Sequence, residues 1–365
     1  MLIFKESFMN ENAGLELLFQ YACEFKFNDF TELLRELEAV QPLEEVWEAY
    51  LIRAQIKLIA ADISILNDLG KIAEVSRLTR FPPLSSMWPA DLPNRFVVFS
   101  KAPGALRDFL QTLPLVRKEL SRWYGEQGDI AARQIQGEIC YFIGEIDQAL
   151  GLAEEQSGLE AGGNLDALFR QCLRFRCCLA MRRPRQAEEC MLEMIKSSRS
   201  HPECQAVYQA LRTWANLTTN WNGDAPRFYY DAGGRKKPVL EDRLESIRMG
   251  YARTTPLEEP FVRYAEQGYG SAYTMRQYYM EIFHAMYWFE AGDRQQTESY
   301  FRKLQQIAVD SGVCMPLVEY GEQITPLLRH VKDSRWGCSP QWLDRIISLA
   351  EQYEKSLNAY KDADT

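Results

Sequence analysis

Histidine is the scarcest chemical resource of this 365-residue chain, which has only His201, His284 and His330. Its nine cysteines include no Cys-x-x-Cys pair. Together these absences leave no ligand pattern for a zinc site, and no metal is expected. The cysteine count is odd, and Cys177 and Cys178 are adjacent in a helical run where their side chains diverge. That argues against a disulfide scaffold and for reduced thiols packed as small hydrophobes in a cytoplasmic protein. An excess of basic residues is also lacking. Lys and Arg number 42 against 51 Asp and Glu, a net charge of −9, so the chain lacks the footprint of a protein that grips phosphate backbones itself. No stretch approaches the roughly 20 apolar residues that span a bilayer, so no membrane partner is expected. Met1 to Glu6 opens without the basic-then-apolar order of a signal peptide. There is no GxxxxGK[ST] phosphate loop, since Gly233 to Lys237 has the wrong spacing. Without a base-to-nucleophile grouping, neither catalysis nor a cofactor is expected.

What the chain does have is a core: 46% of its residues are hydrophobic. Their spacing is helical nearly throughout. Tyr300, Phe301, Leu304, Ile307 and Ala308 fall on one stripe, closed by Gly312 as a C-cap. Ser339 and Pro340 suit the N-cap and first position of a last helix, whose stripe is Trp342, Ile346, Leu349, Tyr353 and Leu357. Residues 29–40 and 44–60 read as an antiparallel pair joined at Pro42. The helices share a grammar, in which a turn residue is followed five positions later by a small residue that admits a close neighbour. Gly144 with Ala149, Arg182 with Ala187 and Gly292 with Thr297 fit it, and Asn28 with Leu33 fits it weakly. The steps between anchors are 182 − 144 = 38 and 292 − 182 = 110, the second close to three units of about 34 residues. The expected fold is all-α: one α-solenoid of tetratricopeptide-like hairpins over residues 1–365. Proline and glycine clusters predict irregular insertions near 81–103 and 222–238, where the solenoid could bend or divide.

Three runs in the C-terminal third carry a resemblance: Tyr287-Trp-Phe-Glu-Ala-Gly-Asp293, Met315-Pro-Leu-Val-Glu-Tyr-Gly321 and Pro326-Leu-Leu328. In the middle, Phe96-Val-Val-Phe-Ser-Lys-Ala-Pro-Gly-Ala-Leu106 and Trp123-Tyr-Gly-Glu-Gln-Gly128 add to it. In this order the chain, from about Asn28 to Asn358, resembles the repeat region of large LuxR-type transcription regulators of the maltose-regulator kind. The resemblance implies a signal-sensing module that binds a small-molecule effector or a regulatory partner. It also implies that DNA is reached only through a helix-turn-helix domain, which would begin about where Tyr360 to Thr365 ends this sequence. A stand-alone scaffold binding a peptide or protein, or a homodimer, is the other reading.

Two groups of residues are candidates for binding. Arg170 and Arg174 stand one helical turn apart in an arginine run that continues through Arg176, Arg182, Arg183 and Arg185. They are suited to an anionic ligand or an acidic segment, unless the run is merely a solvated face. Arg263, Tyr269, Tyr273, Arg276, Tyr278 and Tyr279 form an aromatic and basic cluster, with Arg227, Tyr229 and Tyr230 as a lip beside it. Tyrosine faces suit a ligand groove, but the same spacing also fills a helical core. His284 reads as a core histidine rather than a ligand, and Cys177–Cys178 as inert thiols rather than a redox sensor.

Overall fold

The computed structural model describes residues 13–23, 26–41, 43–75, 94–155, 164–200, 204–205, 208, 228–230, 236–238, 272–334 and 336–363. Among them are fourteen helices and four three-residue strands, so the protein is mostly helical. The N-terminal helices are α1 (Ala13–Cys23), α2 (Phe27–Val40), α3 (Leu43–Ile59) and α4 (Ile65–Val75). After β1 (Val98–Ser100) come α5 (Ala105–Tyr124), α6 (Glu126–Phe142), α7 (Ile146–Glu155), α8 (Asn164–Ala180) and α9 (Pro184–Ser200). Strands β2 (Phe228–Tyr230), β3 (Lys236–Pro238) and β4 (Ala272–Thr274) precede α10 (Met275–Glu290), α11 (Arg294–Ser311), α12 (Met315–Val318), α13 (Gly321–Ser334) and α14 (Pro340–Ala363).

Each long helix has a face to bury. In α5 the residues Leu106, Phe109, Leu113, Val116, Leu120 and Trp123 recur every three or four positions and all are buried. In α11 Phe301, Leu304, Ile307 and Ala308 do the same, between an Asp293 cap that accepts from the Gln296 N–H (3.0 Å) and the left-handed Gly312. Consecutive helices pack against each other most extensively, in α5 with α6, α8 with α9 and α10 with α11 above all.

The turn grammar has a structural counterpart. Gly144, Arg182 and Gly292 all sit in the left-handed region at φ +85°, +58° and +75°. Five residues after each, Ala149, Ala187 and Thr297 are buried at the helix contact. The fourth match needs correction, because Asn28 is an exposed residue within α2 and reverses nothing. A weak textual fit carried that expectation, and Phe27 and Phe30 simply place the helix's buried face there.

Contacts are not confined to chain neighbours, as strictly stacked repeats would have it. Helix α14 packs on α8 and α9, and α12 touches α6. β1 pairs antiparallel with β4, with Phe99 opposite Tyr273. This places a strand in the described part of 81–103; residues 81–93 lie outside the described residues. The segment entering β1 is fixed by Glu138 of α6, whose carboxylate accepts the backbone N–H groups of Arg95 (2.8 Å) and Phe96. In the second expected insertion, β2 and β3 form an antiparallel ribbon, Tyr229 opposite Lys237. Among the described residues no helix is long and apolar enough to cross a membrane.

Arg182 is the exception among the turn residues, since it bears a side chain in a conformation that disfavours one. Arg182→Gly should therefore stabilise the chain by about 1 kcal/mol in urea unfolding, with no change in helical content. An unchanged or lower midpoint would show that the Arg182 side chain is needed where it stands.

Candidate functional site

Helix α8 brings two arginine groups to different faces. On one, Arg170 and Arg174 stand a turn apart. Arg170 is only 9% exposed. Burial, reinforced by the neighbouring Arg174 charge and opposed by Asp166, pulls its guanidinium below the usual arginine range. Asp166 is itself bonded to Arg95 at 2.6 Å. Arg174 donates from Nη1 to Gln171 (3.2 Å), while its Nε is buried with no hydrogen-bond partner among the described residues. Two guanidiniums thus share a half-buried surface, and Asp166, a carboxylate that acts on Arg170, is itself bonded to a third. Arg182, Arg183 and Arg185, at the turn and the start of α9, are exposed and belong to a solvated surface.

The next face of α8 points inward. Arg176 is 2% exposed and its partner Glu319, just after α12, is fully buried. Arg176 donates to Glu319 Oε1 from Nε (3.0 Å) and Nη2 (2.7 Å), and Nη2 also reaches the Tyr279 hydroxyl at 2.9 Å. Tyr279 in turn donates to Glu319 Oε2 (3.1 Å), and the Tyr141 hydroxyl donates to Oε1. The guanidinium lies 4.9 Å from both the Tyr141 and Phe142 ring centroids. Burial opposes its charge, but Glu319 and the tyrosines outweigh that and hold its pKa well above the usual value. Every strong donor and acceptor is used, the pattern of a structural pair rather than a ligand site.

This corrects two of the expected binding residues. Tyr279 is spent inside the ion-pair cluster, and Tyr278 is fully buried with its hydroxyl on the Val313 carbonyl at 2.9 Å. The helical spacing that allowed either a groove or a core makes a core here. Tyr273 stands at the β1–β4 pair, its hydroxyl on Asp310 (3.1 Å), its ring on Phe99 and beneath Lys101. Burial, reinforced by Asp310, pushes that hydroxyl up to about 12. Arg276 is in the first turn of α10, and Tyr229 and Tyr230 are on β2. Arg227, Arg263 and Tyr269 lie outside the described residues. Among the described candidates, Tyr278 and Tyr279 therefore belong to the core and not to a groove.

A third group lies between α10 and α11. His284 stacks on Tyr300 with centroids 4.6 Å apart, and Lys303 Nζ lies 4.8 Å from the same ring. Burial and the Lys303 charge lower the His284 pKa to about 4, so the imidazole is neutral near pH 7. Burial, opposed by Lys303, raises Glu281 to about 7, and its Oε2 is buried without a partner among the described residues. Burial also raises Glu138 to about 6 against the hydrogen bonds from Arg95, Gln134 and Phe96. Sequence reasoning missed Glu319, Glu138 and Glu281. The one available signal was an acid inside an apolar run, as in Met315 to Tyr320. Among the described residues no group of three or more His, Cys, Asp or Glu is arranged around a metal position. Comparison with family models, curated proteins and solved structures finds no match to this chain.

Two measurements follow from these environments. Glu319→Ala leaves the Arg176 charge buried and uncompensated and should cost about 3–5 kcal/mol in chemical unfolding, while Arg176→Met combined with Glu319→Leu recovers part of it. A loss below about 1 kcal/mol for the single change would deny the pair its structural role. The raised Glu281 binds a proton in the folded state that the unfolded chain has released, so its contribution declines as pH rises from about 4.5 to about 7. Glu281→Gln should match the parent near pH 4.5 and exceed it at pH 8 by a difference of order 3 kcal/mol. His284 acts oppositely, losing stability as pH falls from 6.5 to about 4. A parent-to-variant difference independent of pH rejects the assignment to Glu281.

Proposed function

We propose that this chain is a signal-sensing module that works by binding rather than catalysis, and that the Arg170–Arg174 face of α8 takes an anionic small-molecule effector. The observation that carries this is a pair of adjacent guanidiniums, that of Arg170 desolvated by burial and that of Arg174 with its Nε unpartnered among the described residues, while Asp166 is engaged by Arg95. An entering phosphate or carboxylate relieves their repulsion and receives charge-assisted, forked hydrogen bonds from arginines already held in place. The helix pairs are read as tetratricopeptide-like hairpins stacked in a solenoid. Supporting this are the three left-handed turns at Gly144, Arg182 and Gly292, each followed by a small buried residue. By resemblance to LuxR-type regulators, occupancy of the arginine face would be passed to a transcriptional output. The route to the rest of the fold is short, because Arg176, two residues along α8 from Arg174, holds the helix to Glu319 and to α10.

The test uses two probes on the full chain at low salt: citrate for a small polyanion, and an oligoglutamate peptide for an acidic segment. Citrate should raise the thermal midpoint and show saturable heat in calorimetry. Arg174→Gln should weaken it at least about tenfold with an unchanged circular dichroism spectrum. Tight binding of the peptide alone replaces the effector with a protein partner and makes the chain an interaction scaffold. If neither probe binds, or Arg174→Gln binds as the parent does, the site is wrong. For the regulatory output, transcript profiling should show Arg174→Gln reproducing the changes seen when the gene is deleted.

A further inference from the structure

The α8–α9 hairpin also brings together two thiols that neither the arginine face nor the ion pair uses. Cys172 Sγ lies 3.6 Å from Met194 Sδ, which sets the register of the two antiparallel helices. From that contact toward the turn, Cys178 is six residues along α8 and Cys190 is four residues along α9. At about 1.5 Å per residue these are rises of about 9 Å and about 6 Å, so the two stand at nearly one level. Both are buried to 1% exposure in an interface that is among the most extensive in the fold.

We propose that Cys178 and Cys190 form a reversible redox couple that closes a disulfide across the α8–α9 hairpin in response to a peroxide. Cys178 is the attacking thiol. The contact with the Cys190 thiol pulls its pKa down, opposed by burial and reinforced by Arg174 and Arg183, whereas Cys190 is pushed up as the donor of that contact. The Cys178 thiolate attacks one peroxide oxygen, breaking the O–O bond and giving Cys178 sulfenic acid, while the other oxygen leaves as an alcohol or water after taking a proton. The Cys190 sulfur then attacks the Cys178 sulfur. The S–O bond breaks, the hydroxyl leaves with the Cys190 proton as water, and the S–S bond forms. Two thiols are oxidised by two electrons and one peroxide is reduced. Cys177 does not compete, because burial pushes its thiol well above the usual range and its neighbours include Cys140 on α6 and Glu154 on α7. Cys172 is likewise pushed up by burial and lies against Met194. Both thiols belong to this hairpin whatever the arginine face binds, although an anion on Arg174 would weaken its pull on Cys178.

The folded chain is treated with hydrogen peroxide, free thiols are blocked with iodoacetamide, and the denatured product is mapped with trypsin. Cleavage after Arg176 leaves both adjacent cysteines in the peptide 177–182, so Cys177→Ala is run in parallel to assign the linked sulfur. The expected result is a cross-link between Cys178 and Cys190 in parent and Cys177→Ala alike, lost on treatment with dithiothreitol. The oxidised chain should unfold at a higher temperature than the reduced chain. Cys190→Ser should instead accumulate a dimedone-reactive sulfenic acid at Cys178. If that variant does not fold, the cross-link map of the parent decides alone. Linkage through Cys177, or peroxide treatment that leaves Cys178 and Cys190 free, overturns the couple.

Discussion

The contact between Arg176 and Glu319 is the constraint on which the arrangement of the helices depends. It joins residues 143 apart in sequence, and the Tyr141 hydroxyl reaches the same carboxylate across 178. Four segments, in α6, α8, α10 and just beyond α12, therefore meet at one buried charge pair. Such a pair gains little over a well-packed apolar substitute, because desolvation offsets most of the attraction. Its effect is on specificity. A Leu cluster could slide by a turn with little loss, whereas Glu319 displaced by a turn would leave a guanidinium and two hydroxyls without partners.

Local rules act before that long-range contact and make it reachable. The left-handed turns at Gly144, Arg182 and Gly292 reverse the chain within a few residues, so each hairpin needs little more than its own sequence to form. The small residues Ala149, Ala187 and Thr297 then set how near the paired helices come. Glu138 has a different task. It satisfies the backbone entering β1 from the side of α6, and β1 in turn receives β4, so an acid on a middle helix fixes where α10 begins. Local hairpins and long-range polar clamps are thus separate layers of one specification.

That division explains what could be read from the residues alone. The stripe and C-terminal end of helix α11 were legible because the stripe and Gly312 are local in sequence, whereas its start at the Asp293 cap was not read. The α2–α3 pair and the Ser339–Pro340 start of α14 were legible for the same reason. Pairing of β1 with β4 was not, since three-residue strands carry almost no period. The candidate site divides the same way. Arg170 and Arg174 share a face by spacing alone, and the structure keeps them together. Tyr278 and Tyr279 looked equally suited to groove and core. Only partners distant in sequence, Val313 and Glu319, decide for the core. Glu319 itself is one acid among many until the fold buries it.

Satisfaction of buried polar groups separates structure from function more sharply than residue type does. Arg174 and Arg176 are two residues apart on one helix, with the same side chain, but Arg176 is buried with its partners and Arg174 is only partly buried. Arg176 spends its donors on a carboxylate and a phenol, and nothing remains for a ligand to gain. Among the described residues Arg174 keeps a buried Nε without a partner and has a like charge beside it, so the proposed anion would find free energy still to be released. Because both belong to α8, an anion that pulls on Arg174 also pulls on the helix that Arg176 anchors. A displacement at the surface then either stretches the ion pair or carries α10 and Glu319 with it. Packed interiors do not absorb such a shift gradually, so the second course, a concerted movement of the segments that meet at Glu319, is the one through which binding at this face would be felt elsewhere.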